Sequence, residues 1–319
     1  MVRWGILGSG WVVQNSFGPA MKSLSSGTIG MIGSRLGSRN GLARDLQVRA
    51  GTYEDVLDDS TIDAVYIALP NHLHEEWTVK ALAAGKHVLA EKPLGLDAES
   101  VARMIESARA HNRYLWEAFA FPFREQMRMV QEILDEGAIG AVCHLQSVFY
   151  SSIADPNNIR WDATMGGGAL YDVGCYPVHW AGYLLGEAHQ ARAFMVERRG
   201  VDVEVNGQVA FAGGTTLQFL AGLNRPYETS GQVLGTRGRL VLTNPYHPTP
   251  GDTIRVITPE GTREWAAAQG DMTFVRMVEQ INATIMGDQP PRHLAAESAL
   301  RTAQTLALLR QSSAVIHRI

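Results

Sequence analysis

Val2-Arg3-Trp4-Gly5-Ile6-Leu7-Gly8-Ser9-Gly10-Trp11-Val12-Val13 opens the chain and decides how its first half is read. The apolar run Trp4–Leu7 predicts a short strand, Gly8-Ser9-Gly10 a tight turn, and Trp11-Val12-Val13 the first turn of a helix. A first glycine permits such a turn. A second lets backbone N–H groups reach a pyrophosphate, and the helix N-terminus adds a favourable dipole. Val13 holds the place where the full pattern carries a third glycine. A glycine pair alone reads as a plain turn, so the neighbouring segments carry the decision.

Those segments alternate strand and helix. The next strand spans about Thr28–Gly33 and runs into Ser34-Arg35-Leu36-Gly37-Ser38-Arg39. An acid here would receive a ribose 2′-hydroxyl, but none occurs before Asp45. Arg35 and Arg39 beside Ser34 suit a 2′-phosphate instead. They also read as solvated loop charges; the missing acid and the added bases point together to the phosphate. Thr52-Tyr53-Glu54-Asp55 has capping-box spacing. A buried strand over Ile62–Leu69 breaks at Pro70-Asn71-His72-Leu73-His74, and a helix then runs to Gly85. Loops after strands line the ligand crevice of a doubly wound sheet. Leu69, Asn71 and His74 therefore stand near one end of a bound dinucleotide, although Asn71 or His74 serves equally well as a helix cap. The strand His87–Ala90 ends in Glu91-Lys92-Pro93, and Pro93 keeps Lys92 in an extended turn. A helix over Asp97–His111 and a strand over Tyr114–Phe119 complete an α/β unit, a doubly wound parallel sheet with helices on both faces.

Composition bounds the rest. A length of 319 residues suggests two domains, and 45% hydrophobic with 19% charged residues suits a globular core. A net charge of -4 leaves no basic excess for a nucleic-acid partner. Two cysteines, Cys143 and Cys175, are too few for a disulfide framework, which points to the cytoplasm. Met1–Leu7 lacks the features of a leader, and apolar runs such as Ala64–Leu69 are too short to span a bilayer, so no membrane partner is expected. The histidines form no ligand-spaced cluster with cysteines, and no metal is expected.

The second half centres on Gly166-Gly167-Gly168-Ala169-Leu170-Tyr171-Asp172-Val173-Gly174-Cys175-Tyr176-Pro177-Val178-His179. The glycines let backbone approach a ligand closely. A helix starting here puts Asp172 and Tyr176 on one face, with His179 a turn later. The same residues also read as a mobile loop, a cap and a half-buried aromatic. Strands are expected over Val142–Tyr150, Ala191–Glu197, Glu204–Phe211, Thr215–Leu223, Thr229–Leu234, Arg239–Leu242 and Thr253–Thr258. Leu217, Phe219, Ala221 and Leu223 alternate with polar or small residues, the mark of a mostly antiparallel sheet packed on one side. A helix over about Thr273–Met286 and a C-terminal helix around Leu300–Ala307 follow.

Taken in order, Gly8-Ser9-Gly10, Glu91-Lys92-Pro93, Trp116-Glu117-Ala118-Phe119, Asn158-Ile159-Arg160 and Gly166–Tyr176 make the chain resemble the glucose–fructose oxidoreductase / inositol dehydrogenase (Gfo/Idh/MocA) family. The resemblance covers nearly the whole chain. It is strongest to the branch of dimeric dihydrodiol dehydrogenase and NADP-dependent D-xylose dehydrogenase. It implies an N-terminal Rossmann domain over 1–118, an α+β substrate and oligomerisation domain over 119–290 with an open sheet, and a segment over 291–319 packing back on the first domain. Open sheet faces of this kind imply a homo-oligomer.

The resemblance also implies site residues. Gly8, Ser9, Gly10, Trp11, Val12, Ser34, Arg35, Arg39, Leu69, Asn71, His74, Glu91 and Lys92 would hold NADP, with NAD as the alternative. Lys92 would lie beside the nicotinamide, Tyr176 would be the acid/base, and Asp172 would bind substrate or orient Tyr176. The Lys92-Pro93 bond would be cis. Arg160 and His179 are substrate-binding candidates. Arg160 and Trp161 read equally as surface residues, and His179 equally as a packed histidine. Hydride would pass between nicotinamide C4 and a carbinol or carbonyl carbon of a sugar, a sugar derivative or a cyclic diol. Bringing a tyrosine from about 10 to about 7 takes roughly 4 kcal/mol. One ammonium about 4 Å away supplies about that much at an effective dielectric of ~20, so Lys92 suffices in principle. The chain departs from its branch at Phe121-Pro122-Phe123-Arg124-Glu125, where a Tyr-Arg-Phe-His-Pro-like run is usual, and its loop around 34–49 is short. A ligand sensor without turnover is the alternative; the presence of both Lys92 and Tyr176 favours the enzyme.

Overall fold

The structure is a computed structural model and describes residues 1–267, 273–287 and 296–316. Parts of the expected 119–290 and 291–319 segments therefore lie outside the described residues. The described chain divides into two compact units. One contains 1–120, 273–287 and 296–300; the other contains 121–267 and 301–316, so most of the C-terminal helix Ala296–Gln311, expected to pack back on the first domain, belongs to the second unit instead.

The first unit is built on six strands: β1 Val2–Leu7, β2 Gly27–Gly33, β3 Arg49–Gly51, β4 Ala64–Ile67, β5 His87–Ala90 and β6 Leu115–Glu117. Their order is β3-β2-β1-β4-β5-β6, and every neighbouring pair is parallel. The order reverses between β1 and β4, and the crevice beyond the carboxyl ends of strands at such a point is where doubly wound sheets take ligands. The central strands are apolar because helices cover both their faces; Trp4, Ile6, Leu7, Tyr66, Val88 and Leu89 are all fully buried. Both halves of the expected capping box form, Asp55 N–H to Thr52 Oγ1 at 3.1 Å and Thr52 N–H to Asp55 Oδ2 at 2.8 Å. The helix Ala98–Ala110 starts at Asp97, whose carboxylate accepts the Ser100 N–H at 2.7 Å, and it buries Val101, Met104, Ile105 and Ala108 as its periodicity predicts. The helix Thr273–Ile285, expected within a second domain over 119–290, belongs to this first unit instead. Its Asn282 accepts the Trp4 indole N–H at 2.9 Å and donates to Ser26 at 3.0 Å.

The second unit carries nine strands: β7 Val142–Ser152, β8 Ala188–Arg198, β9 Val201–Phe211, β10 Thr216–Gly222, β11 Asn224–Gly235, β12 Arg239–Leu242, β13 Thr253–Thr258, β14 Gly261–Ala266 and β15 Ser313–Val315. The sheet order is β14-β13-β12-β11-β7-β10-β9-β8-β15. Only β7–β10 and β8–β15 pair in parallel. The expected one-sided pattern holds: Leu217, Phe219, Ala221 and Leu223 are buried on the side that also holds Leu145, Val205 and Val233. The helix Cys175–Leu185 packs there, with its Trp180 so close to Gly231 that a Cβ on that glycine would lie 2.6 Å from the ring. On the opposite face the register aligns Gln232, Gln146, Gln218, Gln208 and Arg192 in one row across five strands. The sequence reading misses β3, β14 and β15. These are short edge or near-edge strands with few buried side chains, and pairing with a neighbour rather than an apolar pattern defines them. Among the described residues no helix is long and apolar enough to cross a membrane.

Candidate active site

The turn after β1 is closed at Gly8 and open at Gly10. Gly8 has φ +106°, and a Cβ there would stand 2.3 Å from the Ala68 carbonyl oxygen, so only glycine fits. Gly10 is the opposite case: nothing lies within 4 Å of where its Cβ would be. Ser9, Gly10 and Trp11 are exposed, Trp11 at 74%, and the next turn opens with Val13 and Gln14 N–H groups returning to the Gly10 carbonyl. The residues present thus fit a dinucleotide pyrophosphate, with open space beside Gly10 and a helix start behind it. Val13, in the third-glycine place, is fully buried, and the backbone over Val13–Phe17 is π-helical rather than the simple helix that the sequence predicts.

Beyond β2, Ser34 is buried; its hydroxyl accepts the Leu36 N–H at 3.2 Å and its own N–H reaches Gly51 O at 3.0 Å. Arg35 and Arg39 are exposed on the loop that follows, and no acid intervenes before Asp45. The loop thus carries two exposed guanidinium groups.

At the end of β5 the chain turns through Lys92, which is half-buried, and the Lys92-Pro93 bond is cis as the resemblance implies. This turn is held from three sides. Tyr66, fully buried on β4, donates its hydroxyl to Glu91. His74 places Nδ1 2.9 Å from Pro93 O and Nε2 2.9 Å from Leu69 O. Glu117 on β6 accepts the Leu94 N–H at 2.8 Å. His74 is thereby corrected. Expected near one end of a bound dinucleotide or as a helix cap, it is fully buried and ties the loop after β4 to the Lys92 turn. Burial holds its pKa below the usual histidine value, against the pull of the two carbonyls. Asn71 is half-buried at the start of the Asn71–Leu73 turn.

In the second unit, the Gly166–Gly168 loop is packed against protein rather than open to a ligand. All three glycines are buried, and a Cβ on Gly168, at φ +111°, would meet Asp202 Oδ1 at 2.3 Å. Asp202 also accepts the Leu170 N–H at 2.6 Å and pairs with Arg310 at 3.3 Å, while the Arg310 guanidinium lies 4.4 Å above the Tyr171 ring. Burial lifts the Asp202 carboxyl to about 6 in spite of these partners. The turn over Leu170–Gly174 is π-helical and leads into the helix Cys175–Leu185.

Asp172 lies in that π-helical turn and forms an ion pair with Arg160, Nε to Oδ2 at 2.7 Å, which joins two of the expected site residues. Tyr176 is half-buried in an aromatic ring of Phe149, Tyr246, His247 and Phe121 at centroid distances of 5.0, 5.3, 5.7 and 5.9 Å. The divergent Phe121–Glu125 run therefore supplies part of the seat of Tyr176. His179, named as a substrate-binding candidate, is instead packed: it is 2% exposed and its Nδ1 lies 3.1 Å from Thr302 Oγ1. Burial, helped by the Arg301 charge, lowers its pKa to about 3, so it is neutral.

Sequence reasoning missed Glu117, Asp202 and His247. Glu117 served only as a motif landmark. Asp202 gives no signal, because with Glu204, Asn206 and Gln208 it falls in the polar phase of an alternating strand and reads as a solvent-facing acid. His247 gives none; Asn244 holds its loop, accepting the His247 N–H at 2.9 Å and donating to its carbonyl at 2.7 Å.

Known proteins share this architecture. Residues 2–119 match the model of an oxidoreductase family with an NAD-binding Rossmann fold, and 127–241 match the GFO/IDH/MocA C-terminal domain. A dTDP-3,4-didehydro-2,6-dideoxy-alpha-D-glucose 3-reductase of Streptomyces violaceoruber is 33% identical, over 83% of this chain and 81% of its own. A D-xylose 1-dehydrogenase (NADP(+)) of Haloferax volcanii is 32% identical over 78% of each chain. The crystal structure of KijD10, a 3-ketoreductase from Actinomadura kijaniata in complex with NADP and TDP-benzene, superposes with a TM-score of 0.91 at 29% identity, covering 100% of this chain and 99% of that one. Variants of that enzyme altered at a lysine and at a tyrosine superpose as well. With both halves matched, in order, by one family's two domains, the chain belongs to the Gfo/Idh/MocA family of oxidoreductases.

Proposed function

We propose that this chain is an NADP(H)-dependent oxidoreductase acting on a sugar-type substrate at a ring carbinol or carbonyl carbon. Bound at Gly8–Val12 with its ribose end on Ser34, Arg35 and Arg39, the cofactor supplies hydride at its C4. The protein positions the reactants and manages the proton. Tyr176 gives its phenolic proton to the carbonyl oxygen during reduction and takes it back during oxidation. Lys92 favours the phenolate by its charge. Asp172, held by Arg160, orients the substrate side.

The observation that carries this reading is the Lys92 turn. An ammonium stands at the carboxyl end of an interior parallel strand, in a turn gripped by three side chains from three other elements. That investment in fixing one lysine suits a charge that must meet a reacting group in a set position. The relatives that reduce a nucleotide-linked keto-sugar or oxidise D-xylose point to sugars, and the relative's altered lysine and tyrosine support the two roles. The proposal extends to a homo-oligomer joined through the glutamine-lined sheet face and, with Cys143 and Cys175 both free, to a cytoplasmic enzyme.

Turnover of NADPH and NADH is measured in both directions over dTDP-linked keto-sugars, aldoses, inositols and dihydrodiols. NADP(H)-dependent turnover of one sugar class supports the reading. Tight NADPH binding with silence across the panel replaces it with a ligand sensor.

A further inference from the structure

We propose that Glu117 is a positioning residue for Lys92, a buried carboxyl that fixes the lysine's turn and whose ionisation sets how much of the ammonium charge is left uncompensated. The inference rests on the catalytic reading of Lys92 given above and adds a second ionising group to it.

Glu117 ends β6, the edge strand, in register with Ala90 of β5, two residues before Lys92. Its side chain is 3% exposed. Oε1 receives the Leu94 N–H at 2.8 Å, so the carboxyl reaches across the turn and holds the residue two places beyond Lys92. A neutral amide or serine would make that bond without the cost of burying an acid. An acid there, in a turn already held by His74 and Tyr66, adds to the hydrogen bond an ionisable charge that interacts with Lys92.

Its electrostatic neighbours come from every side of the turn. Lys92 stabilises the Glu117 carboxylate and Glu91 opposes it, while Tyr66 holds Glu91 by a hydrogen bond. His74, on the helix after β4, bonds to Pro93 O and feels the charges of Lys92 and His72. Burial outweighs the help from Leu94 and Lys92 and lifts the Glu117 carboxyl to about 7. The group therefore changes charge in the neutral range. Below that pH Glu117 is a neutral acid and offsets none of the Lys92 charge. Above it the carboxylate offsets the ammonium, and the assistance to the proton-transferring group weakens.

Two measurements on the full-length protein test this. In the first, carboxyl ¹³C signals of glutamate-labelled protein are followed against pH, with the Glu117 signal assigned by its loss in Glu117→Gln. The expected result is one glutamate titrating near neutrality and moving upward in Lys92→Ala, where the favourable charge is gone. This holds whether or not Lys92 is catalytic. In the second, kcat is measured against pH with saturating cofactor. The wild type declines about threefold or more between roughly pH 6 and 8, and Glu117→Gln, which keeps an acceptor for Leu94 N–H, removes that limb. A glutamate titrating only near the ordinary value overturns the proposal. So does a neutral titration with an identical kcat profile in Glu117→Gln. If Lys92→Ala retains full turnover, the catalytic reading of Lys92 fails and the kinetic half of the proposal fails with it, separately from the titration.

Discussion

The Lys92 turn and the Ser34–Arg39 loop both serve the proposed cofactor site, and they are built in opposite ways. At the turn, buried side chains grip the backbone from three elements: Tyr66 on β4, His74 on the following helix and Glu117 on β6. In the loop, Arg35 and Arg39 are exposed, and only Ser34 at its base is buried. The difference fits the work proposed for each. A charge that must help a proton move has to be held within a fraction of an ångström, and buried hydrogen bonds do that. A charge that only recognises a phosphate can work from a flexible stem in solvent, since charge-assisted bonds to an oxyanion tolerate many geometries.

That contrast is breakable, and the largest effect is expected at the turn. Lys92→Ala lowers turnover by about a thousandfold or more while leaving cofactor affinity within about tenfold. Single-turnover rates and NADPH titrations separate the two, and near-wild-type turnover removes the role assigned to Lys92. The glycine turn after β1 comes next. Gly8→Ala forces a Cβ to 2.3 Å from Ala68 O at a φ of +106°. It should cost roughly 3 kcal/mol of stability and weaken both cofactors alike. A variant with unchanged melting temperature and unchanged NADP binding would show that the turn relaxes freely. The exposed loop gives the smallest and most selective effect. Arg35→Asp should weaken NADP by about 10- to 100-fold, the worth of one charge-assisted bond, and leave NAD nearly unchanged. Equal losses for both cofactors would mean that Arg35 meets a part they share, and would dissolve the distinction between the two regions.

The buried Glu117 also links the turn to stability. Its folded-state carboxyl is raised, from 4.5 in the free side chain to about 7. The folded state therefore binds a proton that the unfolded state has already lost between those values. The stabilisation is full below about 4.5 and is lost as pH rises to about 7. Glu117→Gln should melt at a temperature less sensitive to pH across that window than the wild type does. A parallel pH dependence in the two proteins would place the ionisation elsewhere.

The first sheet was readable because its signals are local. β5 falls on His87–Ala90 as expected, the Thr52 capping box forms on both sides, and the helix after Asp97 buries the residues that its period selects. β12 and β13 match their expected bounds for the same reason. The site was legible less evenly. Gly8, Lys92 and Tyr176 announce themselves by spacing and by resemblance. The glycines at 166–168 were recognised but misread: they pack against Asp202 and the Arg160 backbone rather than against open space. Nothing within a few residues of Gly168 reports an acid that lies 34 positions further on.

The sequence by itself determined the alternation of strand and glycine turn, the absence of an acid after β2, and the presence of a lysine before a proline at the end of β5. These properties depend on residues adjacent in the chain. Only the tertiary structure decided what the buried polar side chains do. His74 finds Pro93 19 residues away, His179 finds Thr302 at 123, and Asp202 reaches back 32 residues to Leu170. Whether a histidine is a ligand-facing donor or a packed brace depends on which distant elements close over it and how much water they remove. That burial and those partners are set by the assembled fold, not by spacing along the chain.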